Sequence, residues 1–147
     1  MSQHDKVVLL IEDNADDEKL TLRAFKKQHM SNRVVVLRDG AEALDWLFSR
    51  GTHSHRDPAL RPQVVMLDLG LPKISGLDVL RAIRADPRTQ LLPVVILTSS
   101  NEDRDRIEGY ELGANSYVCK PVEFGKFTEA VGKLGLYWLL VNEPPPG

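Results

Sequence analysis

Four short valine-rich apolar runs constrain this chain more than anything else in it. Val7 to Ile11, Val34 to Leu37, Val64 to Leu67 and Val94 to Leu97 are each nearly unbroken by a polar residue. A strand with one wet face alternates apolar and polar residues. An unbroken run of this length instead suits a strand covered on both faces, as in a parallel sheet between layers of helices. The segments between the runs carry helical periodicity. Ala41, Leu44, Leu47 and Phe48 form one stripe, Leu77, Leu80 and Ile83 a second, and Phe124, Phe127, Val131 and Leu134 a third. The segment Asn14 to Gln28 is less periodic, but Asn14 ahead of Asp17 has the pattern of an N-cap with acids in the first turn.

A fifth strand is expected at Ser116 to Cys119, where the pattern is weakest. Strands alternating with helices imply right-handed crossovers and a doubly wound α/β sheet. The expectation is a flavodoxin-like, five-stranded parallel sheet of order 2-1-3-4-5 with five helices. Residues 1–142 read as one domain with an extended C-terminal helix, and residues 143–147, with three consecutive prolines, as a disordered tail. The polar stretch Arg50 to Pro62, with His53 and His55, reads as a long loop. Two loop histidines with no further ligand nearby favour a solvated loop over a metal site.

Composition narrows the function classes. The 19 Lys and Arg against 21 Asp and Glu leave a net charge of −2, which supports neither nucleic acid nor a membrane surface as partner. No apolar run approaches the roughly 20 residues of a membrane span, and no signal-peptide core precedes Val7. The single Cys119 forms no internal disulfide, so a reducing, cytoplasmic setting is expected.

In open α/β sheets the chemistry gathers at the carboxyl ends of the strands. The first run ends at Glu12 and Asp13, the third at Asp68, the fourth at Thr98 and the fifth near Lys120. Crowded carboxylates raise one another's pKa unless a cation intervenes. Mg²⁺ is the natural cation, because it takes oxygen ligands and is commonly held by one or two carboxylates with phosphate oxygens and water. An Asp attacking a phosphoryl group becomes an acyl phosphate, and a metal with an adjacent Lys stabilises the charge in transit.

Each residue also has a plainer reading. Glu12 and Asp13 can be a capping cluster ahead of the first helix. Asp68 and Thr98 can simply close their strands, Lys120 can be a solvated loop lysine, and Tyr117 can be half-buried packing. In phase at one rim, Glu12, Asp13, Asp68, Thr98 and Lys120 favour the functional reading.

These residues resemble, in order, the motifs of the receiver domains of two-component response regulators. They are Glu12-Asp13, Asp68-Leu69-Gly70-Leu71-Pro72 with Gly76, Thr98-Ser99-Ser100 and Lys120-Pro121, with Tyr117 three residues before the lysine. The match covers about the first 130 residues. The resemblance implies that Asp68 accepts a phosphoryl group from a phosphohistidine on a sensor histidine kinase. It implies that Asp13, Asp68 and the carbonyl of Gly70 bind Mg²⁺, with Glu12 acting mainly through a bound water. It implies further that Lys120 pairs with phosphoryl oxygens, that Thr98 donates to one of them, and that Tyr117 swings in behind a shifted Thr98. The Lys120-Pro121 bond is cis in many relatives. The resemblance also implies a switching surface made of the fourth helix, fifth strand and fifth helix.

The Arg50 to Pro62 loop and the Trp138 segment, Leu134 to Val141, resemble the stand-alone regulators that pair with bacterial and cyanobacterial phytochromes. That resemblance implies a bacteriophytochrome as kinase. The apolar segment is expected to be a partner surface, most simply of a symmetric homodimer, or else part of the core. Too few residues follow the fifth helix for an effector domain, so output is expected through contact with a downstream protein target or a phosphotransfer protein. The chain is thus expected to be a signalling phosphoacceptor rather than an enzyme. Two alternatives remain: a degenerate receiver that binds partners without phosphorylation, and a phosphatase-like enzyme with an Asp nucleophile. The second normally carries another Asp two residues after the nucleophile, where this chain has Gly70. The receiver resemblance implies that self-hydrolysis is tuned partly by the residues two after the acceptor and two after the hydroxyl. Here these are Gly70 and Ser100, which bear no amide or carboxylate to position a water, so a longer-lived phosphoryl group is expected than with Asn and Glu there.

Overall fold

The computed structural model describes residues 7–27, 33–57, 61–71, 73–98, 108–109, 111–120 and 122–133. Five parallel strands form one sheet: β1 (Val7–Ile11), β2 (Arg33–Leu37), β3 (Val64–Asp68), β4 (Val94–Thr98) and β5 (Ser116–Cys119). Their order is β2-β1-β3-β4-β5, the expected flavodoxin-like arrangement. Helices α1 (Ala15–Lys27), α2 (Gly40–Leu47), α3 (Gly76–Ala85) and a last described helix, Phe124–Lys133, connect and flank the strands. Residues 108–109 and 111 are helical as well.

The unbroken apolar runs are explained by two cores, one on each face. Alternate residues of a strand point to opposite faces. Leu9, Ile11, Val65, Leu67, Val94 and Ile96 enter one core with Leu44, Val79, Leu80 and Ile83 from α2 and α3. Val8, Leu10, Val64, Met66, Val95 and Leu97 enter the other with Phe25 of α1 and Phe127 of the last helix. The Phe25 and Phe127 rings meet at 4.6 Å between centroids, joining those two helices beneath the sheet.

Local chemistry sets the helix starts. Asn14 Oδ1 accepts from the Asp17 amide at 2.9 Å, the expected N-cap of α1. Asp39 and Ser75 cap α2 and α3 in the same way. Gly76 is required where α3 begins: a Cβ there would lie 2.3 Å from the Asp68 carbonyl oxygen and 2.7 Å from Leu69 Cα. Only glycine lets α3 start this close to the end of β3.

Of the expected stripes on α2 and α3, Leu44, Leu47, Leu80 and Ile83 are buried, but the first residue of each is not. On α2 the buried residues are Ala43, Leu44, Trp46 and Leu47, with Gly40 at its start, and on α3 they are Gly76, Val79, Leu80 and Ile83. Ala41 and Leu77 lie at the half-exposed margins. On the last helix Phe127 is fully buried; the side chains of Phe124 and Val131, and Leu134, lie outside the described residues. The described part of the Arg50 to Pro62 loop packs against α2. It contains a 3₁₀ turn, Gly51–His53. Its Arg56 guanidinium lies 3.5 Å from the Trp46 ring centroid and donates to the Trp46 carbonyl. His53 Nε2 lies 3.8 Å from Glu42 Oε1. Among the described residues no helix is long and apolar enough to cross a membrane.

Candidate functional site

The alternation that builds the two cores also assembles the site. Val8 and Leu10 face the α1 side of the sheet, and Glu12 continues that series. Val64 and Met66 face the same way, and Asp68 continues them; Val118 is followed by Lys120. Three chemically active side chains thus extend the rows of one core past its edge. The strands are in register there, with Ile11 opposite Leu67 and Asp68 opposite Leu97. Carboxylate oxygens of Glu12, Asp13 and Asp68 all lie within 4.8 Å of one another.

Lys120 reaches two of these carboxylates and one more from α1. Its Nζ lies 2.8 Å from Glu12 Oε1, 3.0 Å from Asp17 Oδ2 and 3.1 Å from Asp68 Oδ2. The contacts to Asp17 and Asp68 are hydrogen bonds. Glu12 Oε1 is paired with the ammonium by charge, yet this buried oxygen has no well-aligned hydrogen-bond donor. Glu12 Oε2 accepts from the Asn14 amide at 3.3 Å, and Asp68 Oδ1 accepts from the Gly70 amide at 3.1 Å.

Burial separates the carboxylates. Glu12 is only 1% exposed and Asp68 7%, whereas Asp13 is open to solvent. Desolvation, then the hydrogen bond with Asp68, raises the Glu12 carboxyl from 4.5 to about 7, and Lys120 offsets this only in part. Asp68 moves the other way. Burial opposes its ionisation, but the hydrogen bond from Glu12, the Gly70 amide and Lys120 together hold it below the ordinary Asp range. Within the pair, burial thus favours protonation at Glu12 over Asp68. Lys120 is held above the ordinary lysine range: burial opposes its charge, and Glu12, Asp17 and Asp68 outweigh burial.

The donor set fits a hard divalent cation. Three carboxylates converge, one is exposed and free to exchange ligands, and a buried oxygen of another lacks an aligned donor. Among the described residues, the Lys120 ammonium is the positive charge paired with the carboxyl groups of Glu12, Asp17 and Asp68.

Of the expected residues, Glu12, Asp13, Asp68, Gly70 and Lys120 come together. Thr98 ends β4 opposite Cys119, but its side chain, Ser99, Ser100 and Pro121 lie outside the described residues. Tyr117 lies on the other face of β5, packed against the core beneath α3. Its hydroxyl abuts Gly109 so closely that a Cβ there would come within 1.9 Å of it. Asp17 is the site residue that sequence reasoning misses, since there it is only a first-turn acid. The acidic run Asp16-Asp17-Glu18 is its only sequence signal, and that run does not tell which acid turns toward the sheet.

The Response regulator receiver domain family matches residues 8–132. The chain is 39% identical over 139 residues to the probable methanogenesis regulatory protein FilR2 of Methanothrix harundinacea, covering 95% of this chain and 87% of that one. It is 34% identical to response regulator Rcp1 of Synechocystis over 91% of this chain and 89% of Rcp1. The structure of Rcp1 in its Mn²⁺-bound form superposes with a TM-score of 0.75 at 33% identity, covering 96% of this chain and 99% of that one. The bacteriophytochrome response regulator RtBRR superposes with a TM-score of 0.84 at 48% identity, covering 97% of this chain and 85% of that one. With the five-stranded order, the carboxylate cluster and the family match in agreement, the chain belongs to the response regulator receiver domain family.

Proposed function

We propose that this protein is a phosphorylation-controlled signalling module in which Asp68 accepts a phosphoryl group from the phosphohistidine of a sensor histidine kinase. The observation that carries this reading is the place of Asp68 at a strand end, 3.1 Å from Lys120 and clustered with Glu12 and Asp13. In the transfer, a carboxylate oxygen of Asp68 forms the O–P bond as the N–P bond of the donor breaks. The imidazole nitrogen keeps the electron pair and takes a proton from solvent. Lys120 donates hydrogen bonds to the phosphoryl oxygens, replacing the one it makes to Asp68. Asp13, Asp68 and the Gly70 carbonyl are the groups to hold Mg²⁺, with Glu12 acting through a water. The ion, when bound, neutralises charge on the transferring group. The protein serves as acceptor and assists its own phosphotransfer and dephosphorylation; it turns over no separate substrate.

A bacteriophytochrome is the proposed kinase, on the strength of the likeness to RtBRR and Rcp1. The readout is assigned to Thr98, Tyr117 and the surface of the fourth helix, fifth strand and fifth helix. The close seat of the Tyr117 hydroxyl on Gly109 supports it, because a tyrosine leaving that seat exposes a helix backbone. Output passes to a downstream protein or a phosphotransfer protein in the cytoplasm. A homodimer through residues 134–141 is part of this proposal, as is a single domain spanning 1–142 with a disordered tail at 143–147; residues 134–147 lie outside the described residues. A long phosphoryl lifetime is proposed from Gly70, where among the described residues an added Cβ would meet only Asp68 Oδ1, at 3.8 Å.

The test is direct. With Mg²⁺ and acetyl phosphate, intact-mass measurement is expected to show one added phosphoryl group on the native chain and none on Asp68→Asn. An unlabelled native chain, or equal labelling of both, overturns the proposal.

A further inference from the structure

Lys120 has three N–H groups and three carboxylate neighbours, and only one of those neighbours lies outside the metal-type cluster. Glu12 and Asp68 belong to the set whose oxygens converge within 4.8 Å. Asp17 does not, yet its Oδ2 is 3.0 Å from Nζ, as close as Asp68 and hydrogen-bonded where Glu12 is not. The placement of Asp17 is built in. Its amide is tied to the Asn14 side chain at 2.9 Å in the first turn of α1, and α1 is fixed beneath the sheet through Phe25 against Phe127.

An ammonium and a divalent cation compete for the same oxygens. Where Lys120 rests on Glu12 and Asp68, it opposes entry of the cation those residues are shaped to hold. A third carboxylate outside the set draws the ammonium toward itself and lowers that opposition. We infer that Asp17 is a positioning residue: it anchors Lys120 at the margin of the carboxylate cluster, so that the cluster of Glu12, Asp13 and Asp68 can take a divalent cation while the lysine stays within reach of the phosphoryl group. This inference rests on the function proposed above and adds to it a residue that touches neither metal nor phosphate.

Mn²⁺ alone serves as the probe, with free Mn²⁺ measured by electron paramagnetic resonance on the full chain. Asp17→Asn removes the anchor; Asp16→Asn removes an exposed neighbouring charge in the same helical turn and reports the through-space effect alone. Asp17→Asn is expected to weaken Mn²⁺ binding about fivefold, against about twofold at most for Asp16→Asn. In a Lys120→Met background, where there is no ammonium to anchor, the two substitutions are expected to have equal effects. Asp17→Glu, which keeps the charge and the reach, is expected to restore affinity to within about twofold of the native chain.

Equal effects of the two Asn substitutions in the native background overturn the inference, as does an undiminished Asp17→Asn effect in the Lys120→Met background. Should Lys120→Met fail to fold by circular dichroism, the Asp17→Glu arm decides: no recovery overturns the inference. A native chain that binds no Mn²⁺ and takes no label from acetyl phosphate removes the proposed function and this inference together. A native chain that binds and labels, with indistinguishable Asp16 and Asp17 variants, removes this inference alone.

Discussion

Two partly buried cations, Lys120 and Arg84, stand at opposite ends of the sheet and are satisfied in opposite ways. Arg84, near the end of α3, makes five hydrogen bonds. They run to the carbonyls of Gln90, Leu92 and Gly113, with two to Gly113, and to Asn115 Oδ1. All of these acceptors are neutral, and they lie in the segments leading into β4 and β5. Asn115 Oδ1 also accepts from the Val94 amide at 2.8 Å, so one polar knot secures the start of both strands. Lys120 is held instead by three carboxylates at 2.8–3.1 Å. Burial lowers the pKa of Arg84, whereas the carboxylates raise that of Lys120 against burial. A planar guanidinium with fixed neutral acceptors makes a rigid joint. An ammonium among anions makes contacts that another cation or a phosphoryl group can replace.

The contrast can be broken experimentally. The largest expected effect is on Lys120→Met, where labelling by acetyl phosphate should fall by about 100-fold or more, read as a rate by intact-mass time courses. Its metal-free form should also melt at a lower temperature, with Mg²⁺ restoring much of the loss, because a divalent ion can take the place of the missing charge. Arg84→Met should do the reverse. Loss of stability of about 2–3 kcal/mol in urea titrations is expected, since several carbonyls lose a charged donor at once. Mg²⁺ should not restore it, and the folded fraction should label at the native rate. Restoration of both variants by Mg²⁺, or of neither, would erase the distinction.

A smaller effect concerns pH. The Glu12 carboxyl rises from 4.5 to about 7 on folding, so the metal-free native state binds the extra proton between those values. Its contribution to stability is present below the unfolded value and is lost as pH rises through the folded one. Metal-free native protein should therefore lose stability relative to Glu12→Gln between pH 4.5 and 7. Saturating Mg²⁺ should flatten the difference. A gap between the two melting curves that widens in favour of the native chain with rising pH would contradict the assignment.

Much of this is legible in the sequence, for identifiable reasons. Strands buried on both faces leave continuous apolar runs, so β1, β3 and β4 can be read to within a residue, and the carboxyl-end rule then gathers Glu12, Asp13, Asp68 and Lys120. Helical phase is harder. Leu77 has the right spacing for the α3 face, but Val79 is the residue that enters the core. Periodicity fixes the angle between residues and leaves the facing of the whole stripe to packing. Asp17 is illegible for a related reason. Its partner lies 103 residues away, and the meeting depends on how far α1 rolls when Phe25 packs on Phe127. Trp46 and Arg56 are likewise unmarked as a pair, because a stacked guanidinium leaves no local pattern.

The alternation within β3 has a consequence for how this chain tolerates change in length. Val64 and Met66 face one core, Val65 and Leu67 the other, and Asp68 inherits its side of the sheet by counting. Deleting a single residue from this strand would leave it just as apolar and just as able to pair, yet would turn its last residue toward the wrong layer. The same deletion among Gly51–His53 changes only a surface turn. Insertions and losses can therefore accumulate in the loops, while the strands that carry the chemistry must keep both their composition and their parity.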